Sequence, residues 1–402
     1  MFLLVRGFKG FRFRIYPNQK QVERLLAWES ALRFLWNLAL EQRKLARARP
    51  ARCRVTAFDQ IIQLTDLRAE APFLAEVPRN VSNQLLIELD KAWQRCFNRL
   101  ARAPRFKRKG RDSLGLTEPH PRAWRLKGKK LYFPKLGAVP AVVHRPLEGK
   151  PKSCTIRRDG DHWFVSIVCA IEQPDPAPRT EPIVAFDRGI THLLADSDGQ
   201  LTPNPKPLEA ALLRLAKAQR VVSRRKKGSK NRKKAVLRVA RLHRKVRRQR
   251  DHALHTLSAA YAKSHGTVVV ERLQTANMIK NRPLARRIAD AGWSRLVELL
   301  RYKLAWSGGQ LVEVSAAYSS QTCASCGAID PESRHGERFC CTHCDHVDHA
   351  DLNAAKVLKS RANRSALPAE GTLPEGTRRS RKVVVLRVPR RSSTKPCPLG
   401  RG

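Results

Sequence analysis

Acidic residues are scarce in this chain. Its 402 residues include 34 Asp and Glu against 80 Lys and Arg, which gives a formal net charge of +46. A protein surface of that charge repels itself unless a polyanion neutralises it, and nucleic acid is the commonest such polyanion. The charge balance therefore predicts a nucleic-acid partner.

Long apolar runs are also missing, although hydrophobic residues make up 42% of the chain. No run approaches the ~20 residues needed to span a bilayer, and the N-terminus lacks the successive regions of a secretory signal. These absences argue against a membrane partner and predict a soluble, intracellular protein. The length leaves room for two or three domains, each with its own core.

One segment has no acidic residue at all: residues 214–250 contain 18 Lys or Arg. A solvated helix face normally carries opposite charges three or four residues apart, so the segment favours phosphate contact instead. A second basic stretch, "PRFKRKGR" at 104–111, adds a phenylalanine that can stack on a base. The candidate nucleic-acid contacts are Arg224, Arg225, Lys226, Lys227, Arg244, Lys245, Arg247, Arg248, Phe106, Lys107 and Arg108.

Five of the ten cysteines fall between residues 323 and 344. Cys323 and Cys326 form one CxxC pair and Cys341 and Cys344 another, and four thiolates at this spacing close a tetrahedron around Zn²⁺. Cys340 is an alternative ligand, and a redox or disulfide role is a second alternative. A site closed by four thiolates has no open position for water, so we expect a structural zinc site.

Three isolated acids share a setting. Asp187 follows the apolar run "PIVAF", Glu271 follows "TVVV", and Asp351 opens the helical "DLNAAKVL". Acids at the ends of neighbouring buried strands can converge, and clustered carboxylates require a hard dication such as Mg²⁺. Such a site can activate water and stabilise the leaving oxygen of a phosphodiester.

Each acid also has a local explanation. The first could be a turn residue, the second an ion-pair partner of Arg272, and the third a helix N-cap. Asp348 and Asp345 compete for the third position. His346 and His349 are predicted to be local turn partners or phosphate contacts rather than ligands.

The remaining patterns predict the course of the chain. Alternating or continuous apolar runs indicate strands, a 3.6-residue period indicates helices, and four prolines in ten residues indicate a domain boundary. In the first half of the chain, we predict a strand over 2–16, helices between 18 and 102, and strands between 131 and 172 with a hairpin at 158–162. A domain boundary is predicted at 173–182. In the second half, we predict a long basic helix before 250, a buried strand over 266–273, a helix over 289–307 and a following strand at "QLVEVSA".

Taken together, these motifs resemble the TnpB (OrfB) family, which is related to type V CRISPR effectors. "IVAFDRGI", "VVVERL" and "SSQTCASCG…FCCTHCDHVDHADLNAAKVL" are similar to its three RuvC motifs and inserted zinc ribbon, and "YPNQKQ", "PKLG", "KKGSKNRKK" and "RYKLAWSGG" match its pattern in order. The resemblance implies that Asp187, Glu271 and Asp351 are the RuvC carboxylates, with Mg²⁺ as cofactor, and that the four cysteines bind zinc. Phe186 and Asp345 depart from the usual small aliphatic and glycine, but neither departure removes a ligand.

The implied fold is an α/β multidomain protein. Residues 1–175 would form a nucleic-acid-recognition lobe, with a β-barrel-like part and a helical insertion at about 18–105. Residues 181–360 would form an RNase H-like (RuvC) α/β domain with a zinc ribbon at about 318–347. Residues 361–402 would be a basic, disordered tail in which "KVVVLRV" could pair as a strand.

The implied function is that of a transposon-encoded RNA-guided DNA endonuclease whose partners are a guide RNA and a double-stranded DNA target. The alternatives are a guide-bound regulator that no longer cuts, a strand-transferring transposase, and a compact type V CRISPR effector. The sequence leaves the oligomeric state open.

We predict that affinity for nucleic acid falls steeply with salt, because each neutralised phosphate releases condensed counterions. The test is the slope of log K against log salt concentration, measured with a non-specific duplex. A flat plot would contradict a binding mode with many phosphate contacts.

Overall fold

The computed structural model describes residues 4–48, 54–110, 112–174 and 176–366. The chain divides into two compact units. The N-terminal unit contains Gly7–Ile171, and the C-terminal unit contains residues 172–366 together with the first residues of the first strand. The predicted tail beyond 366, with its candidate strand, lies outside the described residues.

The N-terminal unit combines a sheet with a helical insertion, as predicted. Its seven strands follow the order β2-β6-β7-β1-β5-β4-β3, and the helices lie between β1 and β2 in the chain. The elements are β1 (Leu4–Ile15), α1 (Gln19–Ala48), α2 (Ala57–Glu70), α3 (Pro72–Ala75), α4 (Arg79–Phe97), β2 (Leu116–Glu118), β3 (Arg125–Lys127), β4 (Lys130–Phe133), β5 (Gly137–Val142), β6 (Lys150–Asp159) and β7 (His162–Pro174).

The alternation of apolar and basic side chains along β1 explains why one face of this strand lies in the core. Phe11, Phe13 and Ile15 are buried, whereas the intervening Arg12 is exposed. Successive side chains of a strand point to opposite faces, so the apolar face packs against the insertion. Trp28 and Leu32 of α1 belong to the same core cluster.

The C-terminal unit begins with a sheet and helices and ends with a small ribbon and a helix. Two 3₁₀ turns, Glu209–Ala211 and Pro331–Ser333, lie between its elements. The elements are β8 (Ile183–Asp187), β9 (His192–Asp196), β10 (Leu201–Pro203), α5 (Leu212–Arg224), α6 (Lys230–Ser264), β11 (Thr267–Glu271), α7 (Thr275–Met278), α8 (Arg282–Ala291), α9 (Trp293–Trp306), β12 (Gln310–Val314), β13 (Arg334–His335), β14 (Arg338–Cys340), β15 (Val347–His349) and α10 (Ala350–Ala366).

The central sheet of this unit is mixed. Its order is β10-β9-β8-β11-β12; β8, β11 and β12 run parallel, whereas β9 and β10 pair antiparallel. Parallel strands need covering layers on both faces, and the described helices provide them. Val184 and Phe186 of β8 pack in one cluster with residues of α6 and α9, whereas Ala185 packs with Leu358 and Ala362 of α10.

One boundary differs from the prediction. The expected helix over 289–307 is interrupted at Gly292, so that α8 ends at Ala291 and α9 begins at Trp293. Gly292 has φ of +70°, a left-handed conformation that glycine adopts without steric cost. The apolar period continues through the break, which is why the sequence pattern did not show it.

The predicted basic helix is α6, and residues 225–229, "RKKGS", separate it from α5. Val246 in the apolar stripe of α6 is buried, and Leu242 is partly buried. None of the helices in the described part of the chain is long and apolar enough to cross a membrane.

Candidate functional site

Two of the three predicted acids lie at the same edge of the central sheet. The register pairs Phe186 of β8 with Val270 of β11, and both strands end one residue later, at Asp187 and Glu271. Because side chains alternate along a strand, Asp187 lies on the face of Ala185, which is the face that packs against α10. Glu271 lies on the α10 face for the same reason.

The third acid, Asp351, is in the first turn of α10. Strand β15 of the ribbon ends at His349 and continues directly into this helix. Asn353, which is fully buried, accepts a hydrogen bond from the Ala324 amide at 2.9 Å and donates one to the Thr322 carbonyl at 2.8 Å. The start of the helix is therefore fixed to the first cysteine loop of the ribbon.

The three carboxylates interact electrostatically. Burial, followed by the negative charges of Glu271 and Asp351, raises the pKa of Asp187 to about 7, and Arg334 opposes this shift. Burial also raises the pKa of Glu271, with Arg188 opposing and Asp351 adding to the shift. A buried cluster whose negative charge is only partly offset in this way favours a bound proton or a bound cation.

Two arginines contact this cluster, and the sequence interpretation did not identify either of them. Arg188 is buried, donates to the Glu271 carbonyl through Nη2, and places Nε 3.7 Å from Glu271 Oε1. Arg334 of the ribbon donates from Nη2 to Asp351 Oδ1 at 3.0 Å. Arg188 was recognisable as the neighbour of Asp187 in "FDRG", whereas nothing in the local pattern marks Arg334.

The competing acids have other partners. Asp348 accepts hydrogen bonds from the Lys356 ammonium at 2.7 Å and from the His349 amide at 2.8 Å, and Asp345 is exposed. The ion pair of Glu271 is with Arg188 rather than with the Arg272 considered from the sequence. These contacts favour Asp351 as the third member of the cluster.

The donor set of the three-acid cluster fits a hard dication. Three carboxylates approach the same edge from β8, β11 and α10, and burial together with their mutual repulsion raises the pKa of Asp187. Carboxylate oxygens are the ligands that Mg²⁺ prefers. The residues present therefore suit Mg²⁺ chemically.

The four predicted zinc ligands lie together. Cys323 Sγ is 3.8 Å from Cys344 Sγ, and Cys326 Sγ is 3.6 Å from Cys341 Sγ. All four sulfur atoms lie within 4.8 Å of one another. The edge of a tetrahedron with metal–sulfur bonds of ~2.3 Å is roughly 3.8 Å, so the spacing fits a single zinc ion.

The spare cysteine, Cys340, is not in this group and belongs to β14. In the group itself, a hydrogen bond from the His343 amide lowers the pKa of Cys341 to about 6. A lowered thiol pKa favours the thiolate that binds a metal. The ribbon strands β13, β14 and β15 form a small antiparallel sheet, in which Phe339 is fully buried beside Cys323.

The predicted nucleic-acid contacts on α5 and α6 are mostly exposed. Four of the exposed residues are at the end of α5 and in the following turn, and three are on α6. The seven exposed residues are Arg224, Arg225, Lys226, Lys227, Lys245, Arg247 and Arg248. Arg244 differs, because only 8% of its surface is exposed. It is therefore placed for internal packing more than for contact with a phosphate backbone.

The second basic stretch lies between α4 and β2 in the N-terminal unit. Phe106 is 42% exposed, with the Lys44 ammonium 4.2 Å from its ring centroid. The Lys107 backbone is fixed by hydrogen bonds with the Asn37 side chain at 2.7 and 3.0 Å, and Arg108 is exposed. The segment thus presents an aromatic ring and cations on a fixed backbone, an arrangement that suits single-stranded nucleic acid.

Three known protein families match the chain. Residues 166–282 match the OrfB_IS605 family, described as "Probable transposase", and residues 293–358 match the Cas12f1-like TNB domain. Residues 8–50 match a family described as a helix-turn-helix domain. Within the described part of that last range, the structure has strand β1 and the single helix α1.

Curated relatives match along nearly the whole chain. A protein of Streptomyces pristinaespiralis named "Putative RNA-guided DNA endonuclease" is 36% identical over 377 residues, covering 91% of this chain and 92% of the relative. The "Putative RNA-guided DNA endonuclease InsQ" of Escherichia coli (strain K12) is 28% identical over 375 residues, covering 88% and 92%.

A solved structure shares the fold. The Cas12f1 chain in a complex with sgRNA and target DNA superposes with a TM-score of 0.54 at 13% identity. The match covers 89% of this chain and 99% of Cas12f1. The predicted α/β multidomain architecture is thereby confirmed.

Because the pKa of Asp187 is raised, we predict that Asp187→Asn increases the free energy of unfolding in Mg²⁺-free buffer, by an amount that depends on pH. Because the folded-state pKa lies above the unfolded value, ionisation destabilises the wild-type fold as pH rises through about 7. The variant should be more stable above pH 7, by up to about 4 kcal/mol at ~1.4 kcal/mol per pKa unit, and the gain should shrink toward pH 4. Thermal melting across this range measures the effect, and a gain independent of pH would contradict it.

Cys341→Ser should release zinc and lower the melting temperature of the C-terminal unit, because structural zinc contributes folding free energy directly. Cys340→Ser is the matched control and should keep both properties. Metal analysis and calorimetry of the two variants check this. Zinc retained in the first variant and lost in the second would assign Cys340 as the ligand.

Proposed function

Since the chain belongs to the TnpB (OrfB) family of transposon-encoded proteins, we propose that it is an RNA-guided DNA endonuclease that cuts phosphodiester bonds at Asp187, Glu271 and Asp351. The observation that supports this most strongly is the convergence of the three acids at one edge of the central sheet, with the pKa of Asp187 raised to about 7. A purely structural role would not require three like charges at the ends of three separate elements.

The metal in this proposal is Mg²⁺. When bound, it would polarise the scissile phosphate and lower the pKa of an attacking water. The three carboxylates would hold it, since their oxygens match its preference. Asp187 would release its proton as the cation binds, because the positive charge offsets the burial and the neighbouring negative charges that raise its pKa.

The two arginines have positioning roles in this proposal. Arg188 orients Glu271 through its guanidinium and through its backbone amide, which lies 3.4 Å from Glu271 Oε1. Arg334 holds Asp351 at the start of α10. Each would keep a carboxylate in place before the metal and the phosphate bind.

Sequence specificity in this proposal comes from the RNA. In guided nucleases, base pairing reads the target, and the protein holds the RNA–DNA heteroduplex by its shape and charge. The exposed cations of α5 and α6 and the Phe106 segment would contact phosphates and bases. The names of the two relatives, and the RNA and DNA in the Cas12f1 complex, support a guide RNA and a DNA target as partners.

A strand-transferring transposase is the second candidate, because the matched family is described as "Probable transposase". An acidic site of this kind suits both reactions, but the names of the full-length relatives favour the endonuclease. A zinc ribbon closed by four thiolates adds no second open metal position to help with strand joining. In this proposal, cutting vacated sites would favour retention of the transposon.

The complex purified from cells that express the native locus tests the proposal. Its bound RNA is sequenced, and the complex is then offered guide-matched plasmids with randomised flanks and Mg²⁺. We expect cleavage beside one short motif. The absence of a discrete RNA would overturn the guided activity, and joined products would favour the transposase.

Asp187→Ala should reduce cleavage at least roughly 100-fold, a loss typical of removing one transition-state-stabilising group, while target binding persists. Asp345→Ala is the matched control, because this exposed acid lies outside the cluster and should leave cleavage unchanged. Loss of target binding in the first variant would instead assign Asp187 a structural role.

A further inference from the structure

A second group of potential metal ligands lies beside the three-acid cluster. Atoms of His192, His349 and Asp351 lie within 4.8 Å of one another. His192 opens β9, His349 ends β15, and Asp351 is in the first turn of α10. Three elements of the C-terminal unit therefore bring two imidazoles to a carboxylate of the proposed active site.

The ring of His192 lacks a partner for one nitrogen. Its Nδ1 atom is buried and makes no hydrogen bond in the described part of the chain. Leaving a buried polar atom unpaired costs ~1–3 kcal/mol, and a metal ion would remove that cost by accepting the lone pair.

The ring of His349 also presents a lone pair close to the group. Its Nδ1 accepts a hydrogen bond from the Asp351 amide at 3.2 Å. In neutral imidazole, the accepting nitrogen is the one that can bind a metal, so an ion at Nδ1 would replace this hydrogen bond. The two rings lie 5.7 Å apart between centroids at an interplanar angle of 75°, so they do not stack.

The turn after β8 fixes this arrangement. A Cβ atom at Gly189 would lie 2.7 Å from the His192 carbonyl oxygen and 3.8 Å from Asp351 Oδ2. Only glycine fits such a close approach. The turn is therefore packed tightly against the His192 backbone, and the Asp351 carboxylate lies beside it at an ordinary contact distance.

The donor set differs from those of both other metal sites. Imidazole nitrogens suit first-row transition dications, and two histidines with one carboxylate leave coordination positions open. Mg²⁺ prefers oxygen ligands, and the ribbon supplies only thiolates. A site of this composition would select Zn²⁺, Co²⁺ or a similar ion from a solution rich in Mg²⁺.

We propose that His192, His349 and Asp351 form a binding site for a first-row transition dication, separate from the zinc ribbon. The site goes beyond the proposed nuclease function, because its existence requires only the donor geometry. Its ion shares Asp351 with the three-acid cluster and competes with Arg334 for that carboxylate. Occupancy of the site is therefore coupled to the state of the cluster.

The test is a metal count on the full chain with its bound RNA, dialysed against Zn²⁺ in excess Mg²⁺. After subtraction of the zinc bound by the RNA alone, we expect two zinc ions per protein chain. His192→Ala and His349→Ala should each lose one ion, with an affinity at least roughly 100-fold weaker, since even outer-shell groups contribute ~10–100-fold. His252→Ala removes an exposed histidine of α6 and should keep both ions, so it corrects for non-specific uptake.

Co²⁺ substitution separates lost binding from lost folding. Thiolate absorption from the ribbon should persist in both histidine variants, whereas the weaker bands of the nitrogen–oxygen site should disappear. His192→Asn keeps the size and polarity of the side chain and should show the same loss. A single specific ion in the wild type, or two ions in both alanine variants, would overturn the proposal.

The two proposals fail separately. A chain that binds the second ion but cuts no DNA contradicts the nuclease function alone. A chain that cuts DNA while binding only the ribbon ion contradicts the histidine site alone.

Discussion

The repulsion among three carboxylates at the edge of the central sheet is the constraint on which the C-terminal unit depends. Parallel strands β8 and β11 end side by side, so Asp187 and Glu271 cannot separate without breaking the register. Arg188 and Arg334 offset part of the charge, yet the pKa of Asp187 remains raised. Burial and the neighbouring negative charges both disfavour ionisation of Asp187 in this arrangement, and a bound cation would offset both effects.

The ribbon is directly connected to the three-acid cluster, because α10, which carries Asp351, continues from β15. A tetrahedral zinc ion at the four cysteines would stabilise a sheet whose own hydrophobic cluster is small. Asn353 connects the ribbon to the helix through two hydrogen bonds to the backbone. Asp351 and Arg334 are consequently held by the ribbon, although neither belongs to its cysteine group.

The basic surface shows which structural features amino-acid composition can predict and which it cannot. The absence of acids between 214 and 250 predicted helices with exposed cations, and the structure confirms α5 and α6 with most of those cations exposed. Charge alone could not separate Arg244, which is buried, from Lys245 beside it. The rotation of a helix against its neighbours decides this, and a run of identical charges carries little information about rotation.

The sequence by itself determined the longer strands, most helices, the cysteine pairs and the acids at the strand ends, because alternation, period and ligand spacing are local properties. It did not predict short strands such as β2, β3 and β10, which have too few residues to show an alternation. It missed the break at Gly292, where the apolar period continues across a left-handed residue. Only the tertiary structure decided that Asp351, rather than Asp348, faces the cluster, and that Arg334 and His192 meet it. Those contacts join separate elements, and their geometry depends on strand register and on how the ribbon packs against α10, which no local pattern encodes.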